Sequence, residues 1–217
     1  MELIRDIYSL VVNLDTHLAA AIATHGKATY FFLFLIIFCE TGLVLTPFLP
    51  GDSLLFLIGA FVARGDLSFI LITSSLTMAA ILGDALNYYL GSLFGRRVLM
   101  TGKIRFLKQE YLERTEAFFE KYGAKTIIIA RFIPIVRTYA PFVAGIARYP
   151  YAQFLMFNVI GAFIWVFSLV SIGFYLGDLP FVENNLTAVI FLIILLSIAP
   201  ALIEVIRERL KRERLRS

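Results

Sequence analysis

The sequence predicts an all-α integral membrane protein. Two facing re-entrant helical hairpins form an inverted repeat, joined by three long transmembrane helices and amphipathic surface helices. Three observations carry this. The 217 residues are 59% hydrophobic and only 17% charged, with mean hydropathy +0.82, more apolar than soluble domains. Two apolar stretches are interrupted by prolines and charges. Basic residues gather in two segments that can share one side of a membrane.

Residues 1–206 read as a single multi-pass membrane domain. In 1–25, Leu3, Ile4, Ile7, Leu10, Val11, Leu14 and Leu18 recur at helical spacing, which predicts an amphipathic N-terminal helix at the interface or against the bundle. Glu2 and Asp6 do not fit the basic leader of a secretory signal. The first hairpin is expected over 28–63. Its apolar runs, 30–38 and 54–63, are each about half the roughly twenty residues a crossing needs. Between them lie Glu40, Pro47, Pro50, Gly51 and Asp52. A continuous helix cannot pass two prolines without losing backbone bonds, and irregular backbone at membrane depth survives only inside protein or beside a wet cavity. Pro50-Gly51-Asp52-Ser53 reads as a helix start, with Asp52 or Ser53 as N-cap.

After the polar turn Arg64-Gly65-Asp66, residues 67–93 are long enough to span, with Asp84 and Asn87 inside. The polar middle, 96–125, holds eight Lys/Arg against four Glu. Within it, 107–122 reads as a surface helix with Glu110 and Arg114 spaced for an i,i+4 pair. The second hairpin, 126–147, is broken by Arg131, Pro134, Arg137 and Pro141. Residues 151–176 span, 178–185 form an acidic loop without Lys or Arg, and 186–206 span again. The tail 207–217 carries six basic residues.

Basic loops favour the cytoplasm, so the middle segment and the tail are expected inside and 178–185 outside. The crossings 151–176 and 186–206 already return the chain inward, so 126–147 has to enter and leave on one side. The halves also echo each other. Tyr89-Leu90-Gly91 matches Tyr175-Leu176-Gly177 at an offset of 86, as Gly59 matches Gly145. Broken helices in corresponding places point to a transport site at the membrane midplane.

Four ionisable groups fall in the hairpins: Glu40 and Asp52 in the first, Arg131 and Arg137 in the second. Each costs at least about 2.5–3.5 kcal/mol at the bilayer centre, so the tips are expected to meet and share one polar cavity. Arg131 and Arg137 are candidate ligands of an anionic headgroup, since arginine forks suit phosphate. Glu40 and Asp52 are candidate proton carriers and gates. The plain alternative makes all four a structural brace, and Asp52 a helix cap. Asp84 is a candidate relay, or a partner of Arg137 or of a backbone donor. Pro47, Pro50, Gly51, Pro134 and Pro141 are expected to shape the hairpin tips. Asn158, Trp165 and Tyr175 read as packing and interface residues, His17 and His25 as surface groups, and Cys39 as a small core residue. One cysteine and two histidines offer no thiol cluster or histidine metal site. No nucleophile–histidine constellation and no phosphate-cradling Lys-Ser/Thr loop is present. The expectation is therefore not an enzyme, with no cofactor, no metal and no nucleic acid.

Glu40-Thr41-Gly42-Leu43, the run from Pro47 to Ser53, Gly83-Asp84 with Tyr88-Tyr89-Leu90-Gly91, the run from Ala130 to Thr138, and Ala140 to Gly145 together resemble the DedA family of bacterial inner-membrane proteins. That family shares a domain with eukaryotic lipid scramblases. The resemblance runs nearly end to end. It implies facing re-entrant hairpins, a multi-pass place in the inner membrane, and translocation of a phospholipid or undecaprenyl phosphate, coupled to protons or membrane potential. It carries Glu40, Asp52, Arg131 and Arg137 over as functional positions. A proton-coupled antiporter of cations or drugs, with the carboxylates binding the cation, is the reading from another class; a non-transporting membrane-homeostasis factor is a third. The lipid, the direction, the coupling ion and the oligomeric state are not written in the residues.

Overall fold

The computed structural model describes residues 14–43, 51–101 and 122–177, with 115, 119, 120, 179, 189 and 192 as isolated positions. Pro47 and Pro50, most of the helix at 107–122, the acidic loop, the span 186–206 and the tail lie outside the described residues. All the described elements are helical. They are α1 (Leu14–His25), α2 (Ala28–Gly42), α3 (Gly51–Ala63), α4 (Phe69–Thr101), a 3-10 turn (Gly123–Lys125), α5 (Thr126–Ala130), α6 (Pro134–Ile146) and α7 (Tyr151–Gly177).

Helices α4 and α7 form an antiparallel pair. The Phe69 ring meets Phe174, the Asn158 amide donates to the Ile81 carbonyl, and Tyr88 stacks on Phe154. Helix α2 runs alongside α4 in the same direction. The Ser68 N–H donates to the Tyr30 hydroxyl at 2.7 Å near the start of both, and Gly42 abuts Gly83 further along. The chain then returns: Glu40 lies over Gly51, the first residue of α3. Helix α3 runs with α7, Asp52 beside Trp165 and Ala60 against Gly177. The second half repeats this in the opposite sense. Helix α6 runs with α4, Thr138 beside Asn87 and Gly145 against Tyr88 and Ser92. The pairs α2–α3 and α5–α6 are thus helical hairpins that open at opposite ends, with their closed ends near the middle.

Small residues permit these contacts. A side chain at Gly59 would run into the Val170 carbonyl and the backbone of Gly173 and Phe174; one at Gly173 would meet the Phe56 carbonyl. At the offset of 86, Gly145 presses on the Tyr88 carbonyl, and the Phe142 carbonyl lies over Gly91. The weak sequence repeat is therefore a repeat of helix crossings, where glycine lets backbones approach.

The break in the second hairpin is narrower than its prolines suggest. Ile133 is extended (φ −120°, ψ 104°) and Pro134 opens α6, as expected of a residue forced out of the helical region by the following proline. Pro141 sits inside α6, not at the tip. It cannot supply the helical bond to the Arg137 carbonyl, yet the rest of the turn continues. Asp52 lies in the first turn of α3, which already begins at Gly51, so it does not precede the helix as an N-cap. Helix α4 continues to Thr101, past the expected end at 93, because no proline interrupts it.

The distribution of polarity is inverted relative to a soluble bundle. Glu40, Asp84, Asn87, Arg131 and Asn158 are buried, while Phe31, Ile70, Met78, Leu82, Phe163 and Phe167 face outward. Phe69–Leu93 and Tyr151–Gly177 are long and apolar enough to cross a membrane. The outer surface suits hydrocarbon. Leu18 of α1 is buried and Ile22 packs on the same core, so the described part of the N-terminal segment rests on the bundle.

Overpacking a tight crossing costs about 1–3 kcal/mol. Gly59→Val and Gly145→Val are each expected to lower the thermal midpoint of the detergent-solubilised protein by several degrees. Leu82→Val, on the outward face, should leave it nearly unchanged. Equal midpoints for all three would remove the glycine crossings from the account.

Candidate functional site

Between the hairpin tips the chain places all four predicted charges and adds four residues from the long helices. Glu40 stands near the end of α2, where residues 30–39 supply the apolar turns that carry it inward. Arg131 occupies the break after α5. Arg137 lies one turn into α6, so Pro134 fixes both the start of that helix and the face on which the guanidinium projects.

The charges form two linked groups. Arg131 donates through Nη2 to Asp84 Oδ2 and to Asn158 Oδ1. The Asn158 amide in turn donates to the Ile81 carbonyl at 3.1 Å. Asp84 thus pairs with Arg131 rather than Arg137. Gly161 makes the space: a side chain there would meet Cδ and Nε of Arg131. In the second group Arg137 reaches both arms of the first hairpin. Its Nη2 donates to Glu40 Oε1, and its Nη1 donates to Asp52 Oδ1 at 3.0 Å. Trp165 lies between the groups. Its Nε1 donates to the same Asp52 oxygen at 2.9 Å, and its ring centre is 5.0 Å from the Arg137 guanidinium and 5.8 Å from that of Arg131. Beside them, the Asn87 amide donates to the Thr41 and Thr138 carbonyls at 3.3 and 2.9 Å, tying the hairpins together.

Exposure sets Arg137 and Asp52 apart from the other three charges. The Arg131 and Asp84 side chains are 2% and 4% accessible, and Glu40 is 2%. Arg137 and Asp52 reach 11% and 21%. The first pair is sealed; the second is accessible at Asp52 and less so at Arg137. Buried polar atoms near both, including Asp84 Oδ1, Asn87 Oδ1 and Arg131 Nε, have no hydrogen-bond partner among the described residues. Buried polar groups normally find protein or water partners, so this interior suits water or ligand oxygens.

Gly51 stands at a closed end, pressed under Glu40, and Pro134 at the other; Pro47 and Pro50 fall among the undescribed residues, and Pro141 lies within α6. Tyr175 is exposed and His17 and His25 lie on the surface, as the sequence suggests. Cys39 is free and half-buried. Asn158 and Trp165, read as packing residues, belong to the site. Their spacing of seven, with Gly161 between, puts a polar group, a gap and an indole on one face of an apolar helix; that pattern was the available signal.

The VTT domain family matches residues 49–175. The chain is 46% identical over 211 residues to Protein DedA of Escherichia coli K12, covering 96% of each. It is 41% identical over 168 residues to an uncharacterised membrane protein of Mycobacterium leprae, covering 77% of this chain and 75% of the relative. It is 35% identical over 201 residues to the inner membrane protein YghB of Escherichia coli K12, covering 92% and 90%. No solved structure matches.

Removing one partner of a buried ion pair costs about 3–5 kcal/mol, because the other charge stays behind. Arg131→Ala is expected to destabilise strongly in thermal unfolding, and Arg131→Met with Asp84→Leu should recover much of the loss. Arg137→Ala, at the more open pair, should cost clearly less than Arg131→Ala. The reverse order of midpoints would contradict the sealed and open assignment.

Proposed function

Because this chain belongs to the VTT-domain family that includes DedA, we propose that it is a membrane lipid transporter that moves a phospholipid or a polyprenyl phosphate headgroup between the two leaflets. One observation carries the reading: a guanidinium from the second hairpin holds both carboxylates of the first at the open corner of a buried polar centre. A fork that binds carboxylate oxygens can exchange them for phosphate oxygens. The apolar outer faces let acyl or prenyl tails stay in the bilayer while the headgroup passes inside.

In this reading the two hairpins are re-entrant, entering from opposite faces and leaving where they came in. The crossings are 67–93, 151–176 and 186–206, and the central loop and the tail are cytoplasmic. Arg137 takes the phosphate first. Arg131 joins only if Asp84 releases it, which makes Asp84 a relay between the groups. Glu40 and Asp52, left by Arg137, are the sites at which a proton can be taken up, and this couples transport to a proton gradient or to membrane potential. The function is transport without bond chemistry.

The cluster counts three carboxylates, Glu40, Asp52 and Asp84, against two guanidiniums, Arg131 and Arg137. That excess of negative charge favours a second reading, a proton-coupled cation antiporter in which Arg137 only tunes the carboxylates.

Proteoliposomes separate the two. With fluorescent phosphatidylethanolamine and undecaprenyl phosphate, with and without a pH gradient, wild type should exchange headgroups at least tenfold faster than Arg137→Ala or Glu40→Gln. Arg137→Lys should recover little, since an ammonium lacks the two-pronged fork. If vesicles holding folded protein match empty ones for both lipids under every gradient, the lipid reading fails and gradient-driven cation uptake becomes the assay.

A further inference from the structure

We propose that Trp165 is a positioning residue of the exchange site: its indole N–H holds Asp52 in place when Arg137 moves onto a phosphate, while its ring face guides the guanidinium. The inference rests on the lipid-transport reading for its role, but the contact it invokes stands apart from that reading. Asp52 Oδ1 has two donors from two elements, Arg137 Nη1 at 3.0 Å and Trp165 Nε1 at 2.9 Å. Arg137 sits on a flexible side chain and also bonds Glu40. Trp165 is 1% exposed and is packed with Val166 and Val170 in the core, so it cannot follow.

A buried indole N–H needs an acceptor, and Asp52 supplies it. The indole bond fixes this oxygen from an element that does not move with Arg137. With the indole bond intact, the oxygen stays at the mouth of α3 and is ready to take the guanidinium back. The ring does a second task. The Arg137 guanidinium lies 5.0 Å from its centre, within range of a cation–π contact, and this contact is strongest where water is excluded. The indole thus holds the carboxylate by its edge and the guanidinium by its face, so one rigid group from α7 sets the separation between the hairpins' opposite charges.

The chain has one tryptophan, so its spectra report this contact without labels. In the purified full chain, the ultraviolet resonance Raman marker of indole N–H hydrogen bonding should be strong in wild type, weaken in Asp52→Asn, and stay unchanged in Glu40→Gln. A marker that ignores Asp52→Asn overturns the proposal, whatever the transport assay gives. Adding dioctanoyl phosphatidic acid should change the indole emission, as the guanidinium leaves the ring, while the N–H marker persists. A marker lost on adding this lipid also overturns the proposal. Unchanged emission with the marker intact counts against phosphate binding instead. In proteoliposomes Trp165→Phe keeps a ring but loses the donor. It should lower the maximal exchange rate about tenfold, the worth of one hydrogen bond to a charged acceptor, with the apparent KM for lipid within about twofold. Trp165→Phe with Asp52→Asn should be no slower than Asp52→Asn alone, since contacting residues are non-additive. Multiplying losses would reduce Trp165 to packing. If Trp165→Phe does not fold, the Raman comparison, which needs only Asp52→Asn, decides.

Discussion

The architecture depends on burying five charges away from water without leaving any of them alone. Arg137 reaches Glu40 and Asp52 only if the two hairpin tips meet, and Arg131 reaches Asp84 only if the second tip lies against α4. Neither hairpin could keep its charges inside a membrane by itself, because an isolated ion in a low-dielectric interior loses several kcal/mol of hydration. The requirement for mutual neutralisation therefore fixes the placement of every other element. Helices α4 and α7 bring Asp84, Asn158 and Trp165 to the same depth, and the short arms stop where the charges begin.

The glycine crossings give that arrangement its precision. A guanidinium fork tolerates little displacement, so the helices carrying it need close and reproducible contact. Gly59 against α7 and Gly145 against α4 bring each short arm to backbone distance from the long helix of the other half. The contact buries little side-chain volume, yet it sets the height of Asp52 and Arg137 along their partners. The same logic explains Gly161, which gives up its side chain so that Arg131 can lie flat beside α7.

The two arginines are unequal because of the groups that surround them. Arg131 is enclosed by Asp84, Asn158 and Gly161, and every move away from them strands a buried carboxylate. Arg137 is shared between the buried Glu40 and the partly accessible Asp52, so it keeps one acceptor when it leaves the other.

Much of this was legible in the residues. The half-length apolar runs and the intervening charges pointed to two broken helical pairs with charged tips; Glu40, Asp52 and Arg137 do come together, while Arg131 pairs with Asp84. Proline positions were a poorer guide, since Pro134 opens a helix while Pro141 is carried within one; the difference lies in the neighbouring turns, which a lone residue does not disclose. The pairing itself was not legible. Which carboxylate meets which arginine, and that Asn158 and Trp165 join them, depends on the rotation of α7 and on the glycine contacts that set it. The sequence alone determined that charges would be buried and had to find one another, because hydrophobicity and charge are properties of composition and order. Only the tertiary structure decided the partners, because partner choice depends on distance and angle between helices far apart in the chain.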